Sequence, residues 1–392
     1  MKTKFSYIFR LVCSKCGNVH DPATLQTYCF SCNAPLVADY DLEVVKNILK
    51  RDDVAARPSG MWRWHELLPI NKPEFVITLG EGDTPLLPLP RLGKHLGMTG
   101  IMVKDESINP TGSFKARGLA AAISKAGELG VQRVIVPTAG NAGGAMAAYA
   151  ARAGMQALVV MPADTPRANV LECRITGAMV ELVDGLISDA AALVKERVKT
   201  EGWFDVSTFK EPYRLEGKKV MGFEICQQFN WDVPDVILYP TGGGTGLVGI
   251  HKAILELQEL GWLKTKKMPR IVAVQSTGCA PVVRAFDTGQ ETCTFYEGAR
   301  TLASGLRVPR SFADRMILQT IRKTNGTAVA VTDEEILTAQ RLWAEKEGMF
   351  VAPEGAATLA GLIQLHDTGW IQAQDKVVLL NTATGLKYLD IL

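Results

Sequence analysis

Short apolar runs alternate with amphipathic stretches from about residue 130 to the end of the chain. Strand-like runs occupy residues 157–161, 179–183, 270–275, 327–331 and 375–380. Helix-like stretches follow the first two runs, at residues 168–178 and 188–200. Because parallel strands need long crossover connections, this alternation is typical of βαβ units and a parallel sheet. We therefore predict an α/β fold with two doubly wound lobes.

Two turns each lie between a strand-like run and a helix-like stretch. Residues 137–144, here called the asparagine turn, have the sequence Pro-Thr-Ala-Gly-Asn-Ala-Gly-Gly. Residues 240–246, the glycine turn, have the sequence Pro-Thr-Gly-Gly-Gly-Thr-Gly. In such a turn, backbone N–H groups and the positive end of the following helix face the same point. Both turns are predicted to bind anions, and the glycine turn suits a phosphate group.

One lysine, Lys115, lies where a Gly/Pro-bent loop meets an Ala-rich helix. The segment 109–118 has the sequence Asn-Pro-Thr-Gly-Ser-Phe-Lys-Ala-Arg-Gly. Burial beside the positive end of a helix lowers the pKa of a lysine amine, and only an uncharged amine reacts with an aldehyde cofactor. A plain surface lysine after a turn is the alternative. The two anion-binding turns farther along the chain favour the cofactor interpretation.

Four of the eight cysteines form two closely spaced pairs near the N-terminus. Cys13 and Cys16 make one Cys-x-x-Cys pair, and Cys29 and Cys32 make another, with twelve residues between the pairs. This spacing is typical of a zinc ribbon, in which four thiolates close a tetrahedral site. It predicts a structural zinc ion. Free thiols and an iron site are the alternatives.

Length and composition predict a globular protein. The chain has 392 residues, of which 47% are hydrophobic and 21% charged, so about two domains with real cores are expected. Lys plus Arg number 43 against 41 Asp plus Glu, a balance that predicts neither a nucleic-acid nor a membrane partner. No apolar run is long enough to span a bilayer, and residues 1–10 lack the core of a signal peptide. A cytoplasmic location is expected.

The chain resembles the fold type II pyridoxal-phosphate enzymes of the tryptophan synthase beta-like group, and within them the threonine synthase family and its close paralogues. The resemblance runs nearly end to end, through segments 79–86, 103–106, 109–118, 213–219 and 382–387. It implies a homodimer whose subunits hold the cofactor between two lobes. The implied domains are a ribbon with its extension (1–45), a large cofactor-binding domain (46–120 and 208–392) and a small substrate-side domain (121–207).

The resemblance also assigns roles to individual residues. Lys115 would bind the cofactor covalently and act as the catalytic base, with Phe114 beside it. The other cofactor-binding residues would be Asn141 at the phenolic oxygen, Gly242, Gly243, Gly244, Thr245 and Gly246 at the phosphate, and Thr382 at the pyridine nitrogen. The substrate-binding residues would be Ser113, Thr138, Ala139 and Gly140 at the carboxylate and Arg214 at a second phosphate. The alternative for Arg214 is an ion pair with Glu211 or Glu216.

The implied activity is the conversion of the small amino acid O-phosphohomoserine and water into threonine and phosphate. Some positions depart from the threonine synthase pattern: Ala139 removes a hydroxyl, Phe209 replaces a small polar residue, and the glycine turn is closer to that of the serine and threonine dehydratases. A second interpretation is therefore a dehydratase-like ammonia-lyase that acts by β-elimination, or a β-replacing paralogue. A third is a zinc-ribbon protein that binds a ligand without catalysis.

Overall fold

Thirteen strands and thirteen α-helices occur within residues 4–391, the range that the computed structural model describes; the first three residues of the predicted ribbon segment lie outside it. The strands are β1 (Ile8–Cys13), β2 (Val19–His20), β3 (Leu36–Tyr40), β4 (Leu86–Pro88), β5 (Ile101–Asp105), β6 (Arg133–Pro137), β7 (Gln156–Pro162), β8 (Met179–Val183), β9 (Phe204–Asp205), β10 (Val236–Pro240), β11 (Arg270–Ser276), β12 (Thr327–Val331) and β13 (Val377–Asn381). The helices are α1 (Leu42–Ile48), α2 (Arg51–Ala55), α3 (Pro90–Leu96), α4 (Lys115–Glu128), α5 (Asn141–Arg152), α6 (Arg167–Ile175), α7 (Ile187–Glu201), α8 (Tyr213–Gln228), α9 (Thr245–Glu259), α10 (Pro281–Asp287), α11 (Asp314–Lys323), α12 (Asp333–Glu347) and α13 (Pro353–Asp367).

Two mainly parallel sheets form the body of the protein. The larger has six strands in the order β12-β11-β10-β13-β5-β4, in which only the edge strand β4 runs antiparallel. The smaller has four parallel strands in the order β8-β7-β6-β9. Every residue of β10 and β13 is buried, as expected for parallel strands covered by helices on both faces. The predicted α/β fold is confirmed.

The strands of the two sheets come from separate parts of the chain. Those of the smaller sheet lie between residues 133 and 205, whereas those of the larger sheet lie at 86–105 and 236–381. On this grouping we propose the division into a large domain (46–120 with 208–392) and a small domain (121–207). The boundary after residue 120 falls inside α4, which contacts both α8 and α5. Helix α4 therefore packs against both domains of this division.

A three-stranded antiparallel sheet, β2-β1-β3, carries the N-terminal cysteines. The segment between its cysteine pairs packs on the larger lobe: the ring of Tyr28 meets that of Phe312 edge-on at 5.8 Å, and the hydroxyl of Tyr213 donates to Pro22 O at 3.4 Å. Residues 4–391 contain no helix whose length and hydropathy would let it cross a bilayer.

Helices α4 and α8 cross at unusually short range. A Cβ atom on Gly217 would lie 2.0 Å from the carbonyl oxygen of Arg117, so only glycine fits at this contact. A Cβ atom on Gly118 would lie 3.0 Å from the carbonyl oxygen of Arg214. The crossing therefore holds the N-terminal turns of α4 and α8, with Lys115 and Arg214, side by side.

A buried charge network fixes the same two helices to β5. Arg117 of α4 binds Glu106 and Glu224, each at 2.6 Å, and Lys104 of β5 binds Glu224 at 2.7 Å. All four side chains are at most 1% exposed. Arg117 and Lys104 hold the pKa of Glu224 well below its ordinary value despite its burial, so the carboxylate stays ionised. Lys104 and Glu106 thus have structural partners away from the cavity described next.

Candidate active site

A cavity of about 300 Å³ opens where the N-terminal ends of α4, α5 and α9 converge. The predicted site residues that line it are Phe114, Lys115, Thr138, Ala139, Gly140, Asn141, Arg214, Gly242, Gly243, Gly244, Thr245 and Thr382. Two predicted residues do not line it. Ser113 is buried next to the lining, and its hydroxyl has no hydrogen-bond partner among the residues that the structure describes. Gly246 packs against Tyr239, whose hydroxyl would lie 2.1 Å from an added Cβ atom.

Lys115 is the first residue of α4 and reaches into the cavity. Its Nζ lies 4.1 Å from the centre of the Phe114 ring. Burial, followed by the nearby positive charges of Arg214 and Lys387, lowers the pKa of Lys115 to about 7, with Glu354 acting in the opposite direction. A large fraction of the amine is therefore uncharged near neutral pH and can act as a nucleophile or a base.

The glycine turn lines the cavity and packs so closely on its neighbours on the other side that larger residues would not fit. Gly244 has φ +74°, a left-handed conformation that favours glycine. A Cβ atom on Gly242 would lie 2.2 Å from the carbonyl oxygen of Gly305. Helix α9 starts directly afterwards at Thr245, so its free N–H groups and its positive end face the cavity. This arrangement fits a phosphate group.

The asparagine turn ends at the first residue of α5, Asn141. Its Nδ2 donates to the hydroxyl of Tyr388 at 3.0 Å, while its Oδ1 has no partner within the described residues. Tyr388 in turn donates to Glu354 at 3.1 Å, and Glu354 also accepts from the backbone N–H of Gly305 at 2.7 Å. Burial raises the pKa of Glu354. Asn141, Tyr388 and Glu354 thus form one chain of hydrogen bonds along the cavity wall.

Arg214, in the first turn of α8, is 1% exposed. One guanidinium nitrogen, Nη1, donates to Val206 O at 2.7 Å. The other two, Nε and Nη2, have no hydrogen-bond partner in the described part of the chain. No ion pair joins Arg214 to Glu211 or Glu216 there; Glu211 accepts from the backbone N–H of Arg214, and Glu216 binds Lys219 and Lys252. Arg214 thus has two free donors in the cavity.

Lys218 and Tyr388 are among the lining residues to which sequence analysis assigned no role. Lys218 lies four residues after Arg214 on α8, and that helical spacing on one face was a usable signal. Tyr388 follows the last strand and had no local signal. The bulky residue that departs from the synthase pattern, Phe209, is 2% exposed and is not among the lining residues, whereas Thr208 is.

A sequence family described as "Pyridoxal-phosphate dependent enzyme" matches residues 77–383. The chain belongs to this pyridoxal-phosphate enzyme family. The matched range contains all the residues that line the cavity up to Thr382, including Lys115 and the glycine turn. The chain is therefore an enzyme, which sets aside the non-catalytic interpretation, and its cofactor is pyridoxal phosphate.

Individual pyridoxal-phosphate enzymes are similar over most of their length. A protein of Methanocaldococcus jannaschii named threonine synthase is 35% identical over 96% of this chain and 93% of its own length. Another of that name, from Methanosarcina acetivorans, is 35% identical over 97% of this chain and 92% of its own length. Among solved structures, a fungal L-serine ammonia-lyase from Rhizomucor miehei has a TM-score of 0.64 and 26% identity, and the match covers 78% of this chain and 96% of that one.

The cavity fits the cofactor of the family. The buried Lys115 amine, with its pKa lowered to about 7, suits an aldehyde. Gly242, Gly243 and Gly244 line the cavity directly before the start of α9, a setting that favours a phosphate group. Two buried polar atoms, Asn141 Oδ1 at the cavity and Ser113 Oγ next to its lining, have no hydrogen-bond partner within residues 4–391. A polar ligand is needed to satisfy them.

The four N-terminal cysteines come together as predicted. Their sulfur atoms all lie within 4.8 Å of one another, and the closest pairs are Cys13 with Cys32 at 3.4 Å, Cys16 with Cys32 at 3.6 Å and Cys16 with Cys29 at 3.7 Å. Four sulfurs bonded tetrahedrally to zinc at about 2.3 Å would be separated by similar distances. None of the four forms a disulfide. The cluster therefore fits metal binding.

Proposed function

We propose that this enzyme is a threonine synthase that converts O-phosphohomoserine and water into threonine and phosphate. The observation that carries the proposal is Arg214, which lines the same cavity as Lys115 and has two N–H donors without a partner among the described residues. A buried guanidinium without a carboxylate partner is suited to a phosphate ester, which accepts a planar pair of hydrogen bonds. The relatives named threonine synthase, at 35% identity over nearly the whole chain, support the same activity.

The proposal gives Lys115 and Arg214 separate tasks. When bound, pyridoxal phosphate supplies an electron-withdrawing ring that stabilises negative charge at the α-carbon of an amino acid. The amine of Lys115 removes protons from Cα and Cβ, delivers one to Cγ after the phosphate has left, and returns one to Cα. Arg214 binds the substrate's phosphate while that group leaves from Cγ, and water then adds at Cβ. Holding both ends of the substrate keeps Cα within reach of Lys115.

The remaining predicted residues orient the substrate and the cofactor. We propose that Ser113 and the turn formed by Thr138, Ala139 and Gly140 bind the substrate's carboxylate. Thr138 Oγ1 accepts from the N–H of Gly140 at 3.1 Å, which holds that turn in place. Asn141 would bind the phenolic oxygen of the cofactor, and Thr382 its pyridine nitrogen. A hydroxyl at that nitrogen leaves the ring largely unprotonated, which suits elimination and replacement chemistry.

A second candidate activity is β-elimination from serine or threonine, which releases a 2-oxo acid and ammonia. One observation favours it: the turn at 242–246 contains only glycines and Thr245, a composition closer to the dehydratases than to the synthases. The solved L-serine ammonia-lyase with a TM-score of 0.64 has the same fold. This activity needs no second phosphate site, so it leaves the free donors of Arg214 without a purpose.

A substrate comparison on the purified holoenzyme separates the two activities. One arm supplies O-phosphohomoserine and follows phosphate and threonine; the other supplies serine or threonine and follows 2-oxo acid. Lys115→Ala is the control that abolishes both reactions, and Arg214→Gln is the variant that impairs only the first. Equal release of phosphate and threonine establishes the synthase. Formation of 2-oxo acid without turnover of the phosphorylated substrate establishes the ammonia-lyase instead.

We also propose that the cysteine cluster binds one structural zinc ion. Four thiolates leave no open coordination position, and the cluster lies outside the cavity lining, so the metal would stabilise the fold. Metal analysis of the purified protein should give one zinc per chain, and a Cys16→Ser variant should lose it. Stoichiometric iron, or a metal-free protein with four titratable thiols, would contradict the assignment.

The homodimer and the cytoplasmic location remain predictions. The sedimentation equilibrium of the holoenzyme tests the first, with twice the chain mass of 42.6 kDa as the expected result. A sedimentation mass equal to that of one chain would rule the homodimer out.

A further inference from the structure

Lys218 is a buried lysine that has no carboxylate partner. Its side chain is 1% exposed, and its Nζ makes a single hydrogen bond within residues 4–391, to the hydroxyl of Thr245 at 2.6 Å. The charged groups that most affect it are Arg214 and Lys115, which repel it, while Glu211 attracts it more weakly. No salt bridge in the described range includes Lys218.

Apart from the cofactor-binding Lys115, the other buried lysines within residues 4–391 have such a partner. Lys104 binds Glu224 at 2.7 Å, Lys125 binds Glu128 at 2.5 Å, and Lys219, the neighbour of Lys218, binds Glu216 at 2.7 Å. Burying an ammonium group without a counter-charge is costly, because the interior cannot replace its hydration. Lys218 therefore differs from Lys104, Lys125 and Lys219. This difference indicates that the counter-charge of Lys218 comes from a bound group.

The position of the Lys218 amine indicates which bound group supplies its counter-charge. Thr245 is the first residue of α9 and follows directly on Gly242, Gly243 and Gly244. The hydrogen bond to Thr245 therefore holds the Lys218 amine at the glycine turn, where backbone N–H groups and the helix end already favour an anion. The amine also lies 4.6 Å from the centre of the Phe114 ring, next to the cofactor-binding lysine.

A glycine on the neighbouring helix makes room for this lysine. A Cβ atom on Gly118 of α4 would lie 2.9 Å from Cε of Lys218 and 3.4 Å from its Cγ. The lysine stem thus fills the space left by the missing side chain, and its direction toward the glycine turn is fixed by packing. A lysine held in this way loses little additional freedom when it binds an anion.

We propose that Lys218 binds the phosphate group of pyridoxal phosphate as a charged ligand. Arg214 and Lys218, one helical turn apart on α8, then serve two different phosphates: Lys218 that of the cofactor, Arg214 that of the substrate. The inference about Lys218 depends on the enzyme family and on the geometry of the glycine turn. It does not depend on the substrate proposed above.

The electrostatics of the cavity agree with this role. Burial, followed by the positive charges of Arg214 and Lys115, lowers the pKa of Lys218 well below its ordinary value. A phosphate dianion beside the amine has the opposite effect and restores the ammonium form. The phosphate and a proton are therefore taken up together at this point.

The test measures how strongly the site prefers pyridoxal phosphate over pyridoxal, which lacks only the phosphate group. Full-length holoenzyme is dialysed to equilibrium against mixtures of the two compounds, and the bound fraction of each is quantified. Lys218→Gln keeps a donor near Thr245 but removes the charge, so the preference should fall by about tenfold to a hundredfold. The matched control is Lys219→Gln, which removes the adjacent buried lysine and should leave the preference unchanged.

Substrate kinetics distinguish the two phosphates. If Lys218→Gln leaves the cofactor preference intact and raises only the KM for O-phosphohomoserine, the amine serves the substrate and the proposal is overturned. If Lys218→Gln does not fold, an experimental structure of the wild-type holoenzyme decides: a phosphate oxygen within about 3 Å of Lys218 Nζ supports the proposal, and a gap of more than about 4 Å overturns it. Inactivity of the wild-type holoenzyme toward O-phosphohomoserine, together with a reduced cofactor preference in Lys218→Gln, would refute the synthase assignment and leave this inference standing.

Discussion

Asn141 donates its side-chain amide to the hydroxyl of Tyr388 over 3.0 Å. Asn141 begins α5, which follows strand β6 of the smaller sheet. Tyr388 follows β13, a strand of the larger sheet. The bond therefore connects the two sheets across the cavity. It also fixes the orientation of the amide, whose Oδ1 then points away without a partner.

Removing the Tyr388 hydroxyl should impair catalysis without removing any group assigned to the substrate. In Tyr388→Phe, the amide of Asn141 loses its partner, so we expect kcat/KM to fall by about fivefold to tenfold, the effect of one hydrogen bond. Steady-state kinetics measure it. Tyr149→Phe is the control, because that hydroxyl binds Glu81 away from the cavity lining. Equal losses in both variants would mean that Tyr388 acts only through stability.

The rate at which the enzyme captures its cofactor should depend on pH. Only the uncharged amine of Lys115 reacts with an aldehyde, and its pKa in the folded protein is about 7. The uncharged fraction, and with it the capture rate, should rise by about tenfold between pH 6 and pH 8 and level off above that. Stopped-flow absorbance after cofactor addition measures the rate. A rate that keeps rising to pH 10 would show that the amine has the pKa of an exposed lysine.

Arg214 should contribute to substrate binding at a cost to the stability of the folded protein. Its two unpartnered donors are buried, so Arg214→Gln removes an unsatisfied charge, and we expect an equal or higher Tm in the absence of substrate. The same change should lower kcat/KM for O-phosphohomoserine by about a hundredfold, since a buried charged contact is lost. Arg214→Lys should recover only part of this loss, because an ammonium cannot form the planar pair of bonds. Full recovery of kcat/KM in Arg214→Lys would exclude recognition of the phosphate by a planar pair of hydrogen bonds.

The buried network around Arg117 should dominate the stability of the helix crossing. Arg117→Met leaves Glu106 and Glu224 buried with fewer partners, and we expect the free energy of unfolding to fall by about 3–5 kcal/mol. Urea denaturation measures the change. Arg197→Met, at a partly exposed pair with Glu201, should change the stability little. A small effect in Arg117→Met would show that the two carboxyls protonate or rearrange at little cost.

The parts of the site that sequence analysis found are those encoded locally. The asparagine and glycine turns were recognisable because a strand, a glycine-containing turn and a helix follow one another within about twenty residues. Helix limits were less exact: the asparagine turn was placed at residues 137–144, yet α5 begins inside it at Asn141, since a helix's first turn need not be apolar. The cysteine spacing likewise predicted the cluster correctly.

Contacts between distant segments could not be predicted. Tyr388 meets Asn141 across 247 positions, and no periodic pattern connects them. Lys218 was part of a recognised segment, but its missing counter-charge is visible only when the partners of every buried lysine are known. The sequence also could not show that Arg214 forms no ion pair with Glu211 or Glu216 in the described part of the chain. Although these acids are close in sequence, Glu211 accepts from a backbone N–H group and Glu216 binds lysines.

The short-range crossing of α4 and α8 has a consequence for the length of substrate that the enzyme accepts. Because Gly217 allows backbone contact with Arg117, and the charge network holds the helices there, the distance from Lys115 to Arg214 cannot adjust to the ligand. In a phosphorylated amino acid, the number of carbons between Cα and the phosphate must match that distance. We therefore expect a homologue one methylene shorter, such as phosphoserine, to reach one of the two residues but not both.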